Sequence, residues 1–409
     1  MNIRGDASTS GGLRWLVLDL NSFFASCEQQ ENPALRGQPV AVVPMQADTT
    51  CVIAASYPAK AFGIKTGTMV REARQMCPAL HIVSARPRLY VEYHHRILEA
   101  IESCVPVEDV MSIDEVACRL DRVQQEPAKA RALGLAMKAA IHGNVGASLT
   151  SSIGIAANRL LAKLASNMQK PDGLTILRPE DLPRAILHLD PEDINGIGAN
   201  MAARLRHAGI HSMADLWAAD ARRLRRVWNG VVGARFHALL HGADLPSPVH
   251  PRRSIGHQHV LPPEQRTMAR AMPVIRQLLT RAAQRLRHEG FYCRRLMLNV
   301  KWLQDLGYYA EERRFRETQD TGFLLRALMP MWHAAPDFKP LRVGVVLADL
   351  AAGESHQPDL FDRPKPAALT GAIDKLNEKY GRGTIGYGCS AAELIAKIAF
   401  QRVPDMREF

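Results

Sequence analysis

Residues 13–28 read LRWLVLDLNSFFASCE, and this stretch decides the fold. Leu13–Leu20 is a short apolar run that ends in Asp19, which is the pattern of a buried central strand. A buried carboxylate is costly unless it is solvated, paired or bound to metal. The position of Asp19 therefore indicates chemistry at the end of a central strand.

A second acidic position is Ser112-Ile113-Asp114-Glu115, where two strands predicted within residues 107–120 meet. Three carboxylates converging from two strands would bind hard divalent cations through oxygen ligands. Two Mg²⁺ ions bridged by acids are what phosphoryl transfer uses. From the spacing alone, a polar turn remains the simpler explanation. Adjacent strand residues also point to opposite faces, so both acids can share one site only where the backbone bends.

Length and composition indicate an ordinary globular chain of two to four domains. The sequence has 409 residues, of which 47% are apolar and 23% charged, and this excludes disorder across the whole chain. The seven Cys are scattered and include no Cys-x-x-Cys pair, so neither a zinc knuckle nor a disulfide scaffold is indicated. We expect reduced thiols in a cytoplasm, and no secretory signal or membrane span.

The positive charge is concentrated in one region. Residues 194–300 contain 17 Arg, no Lys and five acids, which gives that region +12 while the rest of the chain sums to about −1. Any one of these arginines could simply be on a solvated helix face. The region as a whole favours a polyanion partner, because clustered Arg binds phosphates through charge-assisted contacts and counterion release.

Hydrophobic periodicity predicts alternating strands and helices up to about residue 177. A unit of short helices follows, and a Pro-rich linker over 246–251 ends it. Besides 13–20, the predicted strands are Val40–Val43, Cys51–Ala55 and Ser151–Ile155, and the predicted helices are 59–77 in two pieces, Tyr90–Cys104, Pro127–His142 and Asn158–Met168.

The third unit has a readable order. A strand over Ser254–His259 precedes a long helix that opens at Pro262-Pro263 and ends at Gly290. Strands over 291–303 and 313–318, a helix over 323–332 and an apolar strand over 341–350 follow. The order strand-helix-strand-strand-helix-strand is that of a split, ferredoxin-like sandwich.

The motifs together resemble those of the Y-family (translesion) DNA polymerases, which include the bacterial DNA polymerase IV and polymerase V catalytic-subunit branches. The resemblance covers roughly residues 13–387. It rests on Asp19–Glu28 (DLNSFFASCE), Val52–Lys60 (VIAASYPAK), Ser112–Glu115 (SIDE), Ser152–Ile155 (SIGI) and Lys170–Gly173 (KPDG), in this order along the chain.

The resemblance implies an α+β, multidomain, right-hand polymerase. The ferredoxin-like palm would comprise 13–24 and 86–177, and small fingers would occupy 25–85 between its two parts. A helical thumb with a helix-hairpin-helix would span 178–245, and a βαββαβ little finger 252–350. Residues 1–12 would be a disordered N-terminus, and 351–409 a C-terminal tail with a clamp-binding motif.

The resemblance also implies the catalytic site. Asp19, Asp114 and Glu115, together with the carbonyl of Leu20, would bind two Mg²⁺ ions. The incoming deoxynucleoside triphosphate would meet Phe23, Phe24, Tyr57, Lys60 and Lys163. Phe24 would be the steric gate against a ribose 2′-hydroxyl, whereas a core aromatic residue is at least as good an explanation of Phe23. Lys60 stands where the family often has Arg, so a bidentate fork is absent.

Further residues would bind nucleic acid and protein partners. Gly196 and Gly198 in Ile194-Asn195-Gly196-Ile197-Gly198 resemble a hairpin whose free N–H groups receive a DNA phosphate. Arg252, Arg253 and Ser254 resemble the start of the little finger, which grips the template. Gln357, Leu360 and Phe361 in QPDLF resemble the peptide that binds the bacterial sliding clamp (β subunit).

The sequence thus predicts a low-fidelity DNA-dependent DNA polymerase that performs translesion synthesis without proofreading, located in a bacterial cytoplasm at the nucleoid. Primer-template DNA and the clamp would be its partners, and a polymerase V-like role would add accessory mutagenesis subunits. The main alternative is a catalytically silent, clamp-binding scaffold of a mutagenesis complex. A palm-type nucleotide cyclase and a purely DNA-binding repair factor are weaker alternatives.

Overall fold

The computed structural model describes residues 12–248, 251–303, 306–355, 365–381, 384–388 and 403. The chain divides into two compact units, one of Met1–Ser247 with Ala396–Phe409 and the other of Pro248–Ile395. The predicted N-terminal segment up to residue 11 and the predicted clamp-binding residues Gln357, Leu360 and Phe361 lie outside the described residues. Within the described ranges, no helix is long and apolar enough to cross a membrane.

The first unit mixes strands and helices. Its strands are β1 (Trp15–Leu20), β2 (Val40–Val43), β3 (Ala54–Ala55), β4 (His81–Ser84), β5 (Asp109–Val110), β6 (Glu115–Arg119), β7 (Ser151–Ala156) and β8 (Leu174–Ile176). Its helices are α1 (Phe23–Glu31), α2 (Tyr57–Lys60), α3 (Val70–Met76), α4 (Pro87–Glu102), α5 (Pro127–Asn144), α6 (Arg159–Met168), α7 (Ala199–His207), α8 (Met213–Ala218), α9 (Ala221–Val227) and α10 (Val231–Leu240).

The larger sheet of this unit has the order β5-β6-β1-β7-β8, so β1 is the central strand that its apolar run predicts. All residues of β1 are buried, and the strand pairs antiparallel with both β6 and β7. Alternation along β1 then separates two cores. Leu16 and Leu18 belong to the core that α4 and α5 cover, whereas Trp15 and Val17 belong to the core that contains α6 and α7–α10.

A close approach of α6 to this sheet depends on Gly154 of β7. A Cβ atom at that position would lie 2.0 Å from the carbonyl oxygen of Ala162 and 2.2 Å from the amide nitrogen of Ser166. No larger residue fits there without moving α6 away from the sheet. Gly154 therefore sets the depth at which the side chains of α6 meet the end of β1.

A small sheet of order β3-β2-β4 carries a separate core with α2 and α3. The strand predicted over Cys51–Ala55 is too long, because only Ala54–Ala55 pairs with β2 and Cys51 makes an isolated bridge to Met69. Strand β4 was not predicted, since its end residues are exposed and its middle ones only half-buried. Helix α1 was not predicted either, because its buried residues run consecutively instead of forming one stripe.

The second unit has the predicted order. Its elements are β9 (Ser254–Val260), α11 (Met268–His288), β10 (Phe291–Trp302), β11 (Tyr308–Thr318), α12 (Thr321–His333), β12 (Pro340–Ala352) and α13 (Lys365–Tyr380). The antiparallel sheet has the order β11-β10-β12-β9, and α11 and α12 cover its apolar face. The long helix starts at Met268 and not at Pro262, because the Thr267 side chain caps it and Pro263–Gln265 forms a separate 3₁₀ turn.

Candidate active site

Asp19 and Glu115 lie directly opposite each other on the antiparallel strands β1 and β6. Asp19 is on the same face of β1 as Trp15 and Val17, and this face looks toward α6. Both carboxylates meet Lys163 of α6, whose Nζ donates to Oε1 of Glu115 at 2.6 Å and to Oδ2 of Asp19. The sequence thus folds so that one ammonium group binds two carboxylates at the end of the central strand.

Asp114 reaches the same end of the sheet by the bend that its position requires. It precedes β6 in a bend over Ser112–Asp114, so the strict alternation of a strand applies only from Glu115 onward. The carbonyl oxygen of Asp114 accepts from the Leu20 amide at 2.8 Å, and its Oδ1 accepts from the Ser112 hydroxyl at 2.6 Å. Because of this bend, Asp114 and Glu115 can both lie at the same end of the sheet although they are adjacent in sequence.

Burial controls the ionisation of these acids. Desolvation raises the pKa of Asp114, and the charge of Asp19 raises it further, although the Ser112 hydrogen bond opposes the change. Desolvation likewise raises the pKa of Glu115 against the opposing effect of Lys163. For Lys163, burial lowers the pKa, but the two carboxylates outweigh burial and the net shift is upward. Nearby positive charge therefore favours the ionised form of these acids.

A second ammonium group, from Lys170, lies at the same carboxylate. Its Nζ is 2.6 Å from Oδ1 of Asp19, and the side chain remains 31% exposed. Lys170 belongs to the KPDG motif, but the sequence assigns it no role. It lies after the end of α6, outside any periodic apolar stretch, so only the folded chain shows that it reaches Asp19.

The oxygen donors fit a divalent cation, and the lysines provide the positive charge in this arrangement. Carboxylate oxygens are the ligands that Mg²⁺ prefers. Within the described ranges, no group of three or more His, Cys, Asp and Glu side chains is arranged to hold a metal ion. Instead, Lys163 and Lys170 bind the carboxylate of Asp19, which is only 5% exposed.

The two predicted aromatic residues differ in their surroundings. Phe23 is 3% exposed and belongs to the core, so its side chain is not available to a substrate. Phe24 is half-buried and stacks on Tyr90, with ring centroids 4.4 Å apart and an interplanar angle of 18°. The Tyr90 hydroxyl donates to the buried Glu28 at 2.8 Å, which fixes the ring against which Phe24 packs.

Tyr57 and Lys60 lie at opposite ends of the short helix α2, and the Lys60 ammonium is 4.3 Å from the Tyr57 ring centroid. Desolvation and then the charge of Asp19 raise the pKa of Tyr57. Desolvation and then the charge of Lys170 lower the pKa of Lys60. Both residues therefore experience the electrostatic field of the carboxylate site.

Asn21 is a residue that the sequence gave no reason to select. It is 1% exposed, its Nδ2 donates to the Ser152 hydroxyl at 2.9 Å, and its Oδ1 accepts from the Asp172 amide at 2.8 Å. Asn21 thus joins the end of β1 to β7 and to the turn after Lys170.

The predicted DNA-binding residues come later in the sequence than these carboxylates, just before α7 and at the start of β9. Gly196 has φ of +99°, a conformation that favours glycine, and Gly198 precedes the first turn of α7. A Cβ atom at either glycine would meet nothing within 4 Å, so the backbone is open to a ligand. In the second unit, Arg253 and Ser254 are exposed, whereas Arg252 forms an ion pair with Glu289.

The sequence of this chain matches known family models and known relatives. The model described as "impB/mucB/samB family" matches residues 18–167, and the C-terminal domain model of that family matches 252–360. DNA polymerase IV of Moorella thermoacetica is 36% identical over 90% of this chain and 94% of the relative. The chain belongs to the impB/mucB/samB family of Y-family polymerases. It is a low-fidelity, translesion DNA-directed DNA polymerase of the polymerase IV type.

A further relative is similar in sequence, and two solved structures are similar in fold. DNA polymerase IV of Pelotomaculum thermopropionicum is 34% identical over 90% of this chain and 93% of the relative. A chimeric Y-family DNA polymerase has a similar fold, with a TM-score of 0.68, 24% identity, and coverage of 83% of this chain and 99% of that chain. DinB from Sulfolobus solfataricus has a TM-score of 0.53 and 24% identity, covering 82% and 98%. The predicted right-hand, α+β polymerase fold is confirmed.

Proposed function

We propose that this Y-family polymerase transfers a deoxynucleotide to a primer 3′-hydroxyl at Asp19, Asp114 and Glu115 with two Mg²⁺ ions. The observation that carries the proposal is the pairing of Asp19 with Glu115 across β1 and β6, with Asp114 in the adjoining bend. When bound, Mg²⁺ would lower the pKa of the attacking hydroxyl and stabilise charge on the leaving pyrophosphate. The carboxylates, with the Leu20 carbonyl, would hold it.

Once a metal ion binds the carboxylates of Asp19 and Glu115, the ammonium groups of Lys163 and Lys170 would be free to bind the triphosphate. Each is a compact cation already within hydrogen-bonding distance of the acids, and a lysine suits a phosphate as a point charge. Lys60 and Tyr57 would extend this positive pocket, since both experience the charges of the same site. The N-terminal end of α1, which starts at Phe23 two residues after the end of β1, would add backbone N–H donors.

Phe24 would exclude ribonucleotides. Its ring is held by the stack on Tyr90, which is itself fixed by Glu28, so it cannot yield easily to a 2′-hydroxyl. Phe23 would act only through its backbone, because its side chain is in the core.

Primer-template DNA would bind the hairpin at Gly196 and Gly198 and the exposed arginines of the thumb. Most arginines of the basic region have protein partners, such as Glu192 for Arg206 and Asp374 for Arg287. Four exposed arginines in α7 and α9 form no ion pair with any described residue: Arg204, Arg222, Arg225 and Arg226. Their charge is therefore available to phosphates. Arg252, Arg253 and Ser254 would contact the template strand.

The remaining assignments rest on the sequence. Gln357, Leu360 and Phe361 would dock on the sliding clamp, accessory mutagenesis subunits would be additional partners, and the protein would act in the cytoplasm at the nucleoid. We place the palm at 13–24 and 86–177, the fingers at 25–85, the thumb at 178–245 and the little finger at 252–350. The silent-scaffold alternative has no support.

Metal binding tests the proposed site directly. Mn²⁺ would be titrated, with electron paramagnetic resonance as the readout, in the presence of primer-template DNA and a non-hydrolysable deoxynucleotide. We expect two ions per chain in the parent and loss of both in Asp114→Ala/Glu115→Ala. The control is Glu108→Gln, which alters an exposed acid near the same strands. Full binding by the double variant would overturn the assignment.

A further inference from the structure

Lys138 of α5 makes contacts that a surface lysine does not make. Its side chain is 15% exposed, and its Nζ lies 2.6 Å from each of three oxygens: the Ser151 carbonyl, the Asp172 carbonyl and Oδ1 of Asp172. An ammonium group has three donors, so these acceptors use them all. Its hydrogen bonds are directed at the turn after Lys170 and at the start of β7.

The turn that Lys138 holds has an uncommon backbone conformation. Asp172 has φ of +57°, in the left-handed region that a non-glycine residue enters at a cost. Its amide donates to Oδ1 of Asn21, so Asn21 holds the turn from one side and Lys138 from the other. The next residue, Gly173, has no space for a Cβ atom, which would lie 1.9 Å from the carbonyl oxygen of Gln169. The turn is therefore fixed tightly.

This turn carries Lys170 to the active site. Lys170 lies two residues before Asp172, and its ammonium reaches Oδ1 of Asp19 at 2.6 Å. A long side chain delivers its charge to a defined point only if its backbone is fixed. Lys138 also donates to the carbonyl of Ser151 in β7, opposite Leu20 of β1, and this bond ties Lys138 to the sheet that holds Asp19.

We propose that Lys138 is a positioning residue for nucleotide binding, which fixes the Lys170–Gly173 turn so that the Lys170 ammonium meets the triphosphate. This inference rests on the proposed role of Lys170. Among the described residues, Lys138 has no direct contact with Asp19, Asp114 or Glu115, and it acts through Asp172. Its loss is therefore expected to weaken nucleotide binding without removing a group from the chemistry.

Steady-state primer extension on the full chain would separate these effects. Lys138→Met is expected to raise the KM for the deoxynucleotide about tenfold or more while kcat changes less than about threefold. Lys138→Arg, which keeps the charge, should recover part of the loss. Lys129→Met is the matched control, because Lys129 lies on the same helix, is exposed, and pairs only with Glu126 among the described residues. It should leave both constants unchanged.

Lys170→Met tells the inference apart from the proposal on which it rests. If Lys170→Met raises KM and Lys138→Met does not, the positioning role is wrong and the role of Lys170 stands. If Lys170→Met leaves KM unchanged, the role of Lys170 is itself wrong and the inference falls with it. In the double variant, we expect little more than the effect of Lys170→Met alone, and multiplicative effects would overturn the inference. Should Lys138→Met fail to fold, Asp172→Asn removes the charged acceptor and must raise KM as well.

Discussion

The ammonium group of Lys163 lies 2.6 Å from Oε1 of Glu115, and it also binds the carboxylate that Asp19 presents from the neighbouring strand. The buried Lys163 therefore bridges two carboxylates that face each other across β1 and β6, and Lys170 adds a second cation at Asp19. If these acids are the metal ligands, as proposed, the lysine and the metal would compete for the same oxygens. The metal-free and metal-loaded forms would then differ in a measurable way.

Removing that lysine should make folding depend on metal. Lys163→Met leaves Asp19 and Glu115 without their shared cation, and breaking a buried ion pair costs about 3–5 kcal/mol. We expect a lower Tm in metal-free buffer, by roughly 2–4 °C for each kcal/mol. Added Mg²⁺ should raise the Tm more in the variant than in the parent. Thermal unfolding by circular dichroism measures both, with Lys129→Met as the control. Equal responses to Mg²⁺ would contradict the competition.

Neutralising Asp114 should stabilise the metal-free protein. Burial raises the pKa of Asp114 in the folded state, so the folded protein binds this proton more tightly than the unfolded chain. The stability from protonation is present at low pH and is lost as pH rises through the raised pKa, above about 4. We expect Asp114→Asn to raise the Tm near neutral pH and to have little effect below about pH 4. Glu108→Gln should leave the Tm unchanged at both pH values. A lower Tm of Asp114→Asn at neutral pH would show that burying the ionised Asp114 does not destabilise the metal-free protein.

Truncating the proposed steric gate should relax sugar discrimination. Phe24→Ala removes the ring that stacks on Tyr90 and opens space where a 2′-hydroxyl would lie. We expect the ratio of kcat/KM for a deoxynucleotide over its ribonucleotide to fall by about 10- to 200-fold. Phe62→Ala, which alters an exposed phenylalanine of the same unit, serves as the control. An unchanged ratio would assign the discrimination to another residue.

Arg225 and Arg226 of α9, which form no ion pair with a described residue, should contribute to the salt dependence of DNA binding. Each phosphate contact contributes about 0.9 to the slope of log K against log salt on duplex DNA. We expect Arg225→Ala/Arg226→Ala to reduce that slope by close to 2, measured by fluorescence anisotropy. Arg178→Ala/Arg206→Ala removes the same charge, but both of these residues are already paired, with Asp181 and Glu192. A larger change in this control would place the DNA elsewhere.

The sequence predicted features that depend on local patterns. The central strand ending at Asp19 and the βαββαβ order of the second unit both follow from apolar periodicity, and the structure confirms them. Asp19 stands out at the end of an apolar run, whereas Asp114 and Glu115 stand where two predicted strands meet. Their ligand role is implied by the resemblance to Y-family polymerases, not by periodicity, and it stays a prediction.

Features that depend on distant partners could not be predicted. Lys138 and Asp172 are 34 positions apart, and Asn21 is 151 positions from Asp172, so no local pattern signals their contacts. The excess of Arg in residues 194–300 predicted a polyanion partner, which agrees with a DNA polymerase. The sequence could not show that Arg287 pairs with Asp374 and Arg252 with Glu289. Only the fold distinguishes arginines that stabilise the protein from those free to bind DNA.

The central claim is that Asp114 and Glu115 hold the metal for DNA synthesis, and single-turnover primer extension tests it most directly. The parent chain and Asp114→Ala/Glu115→Ala would be compared on an undamaged primer-template with Mg²⁺ and all four deoxynucleotides, with DNA affinity measured in parallel. Metal charge stabilisation is worth several kcal/mol, so we expect the variant to be slower by about 10³-fold or more with its DNA affinity retained. Extension by the variant at the parental rate, or DNA binding without extension by the parent, would contradict the claim.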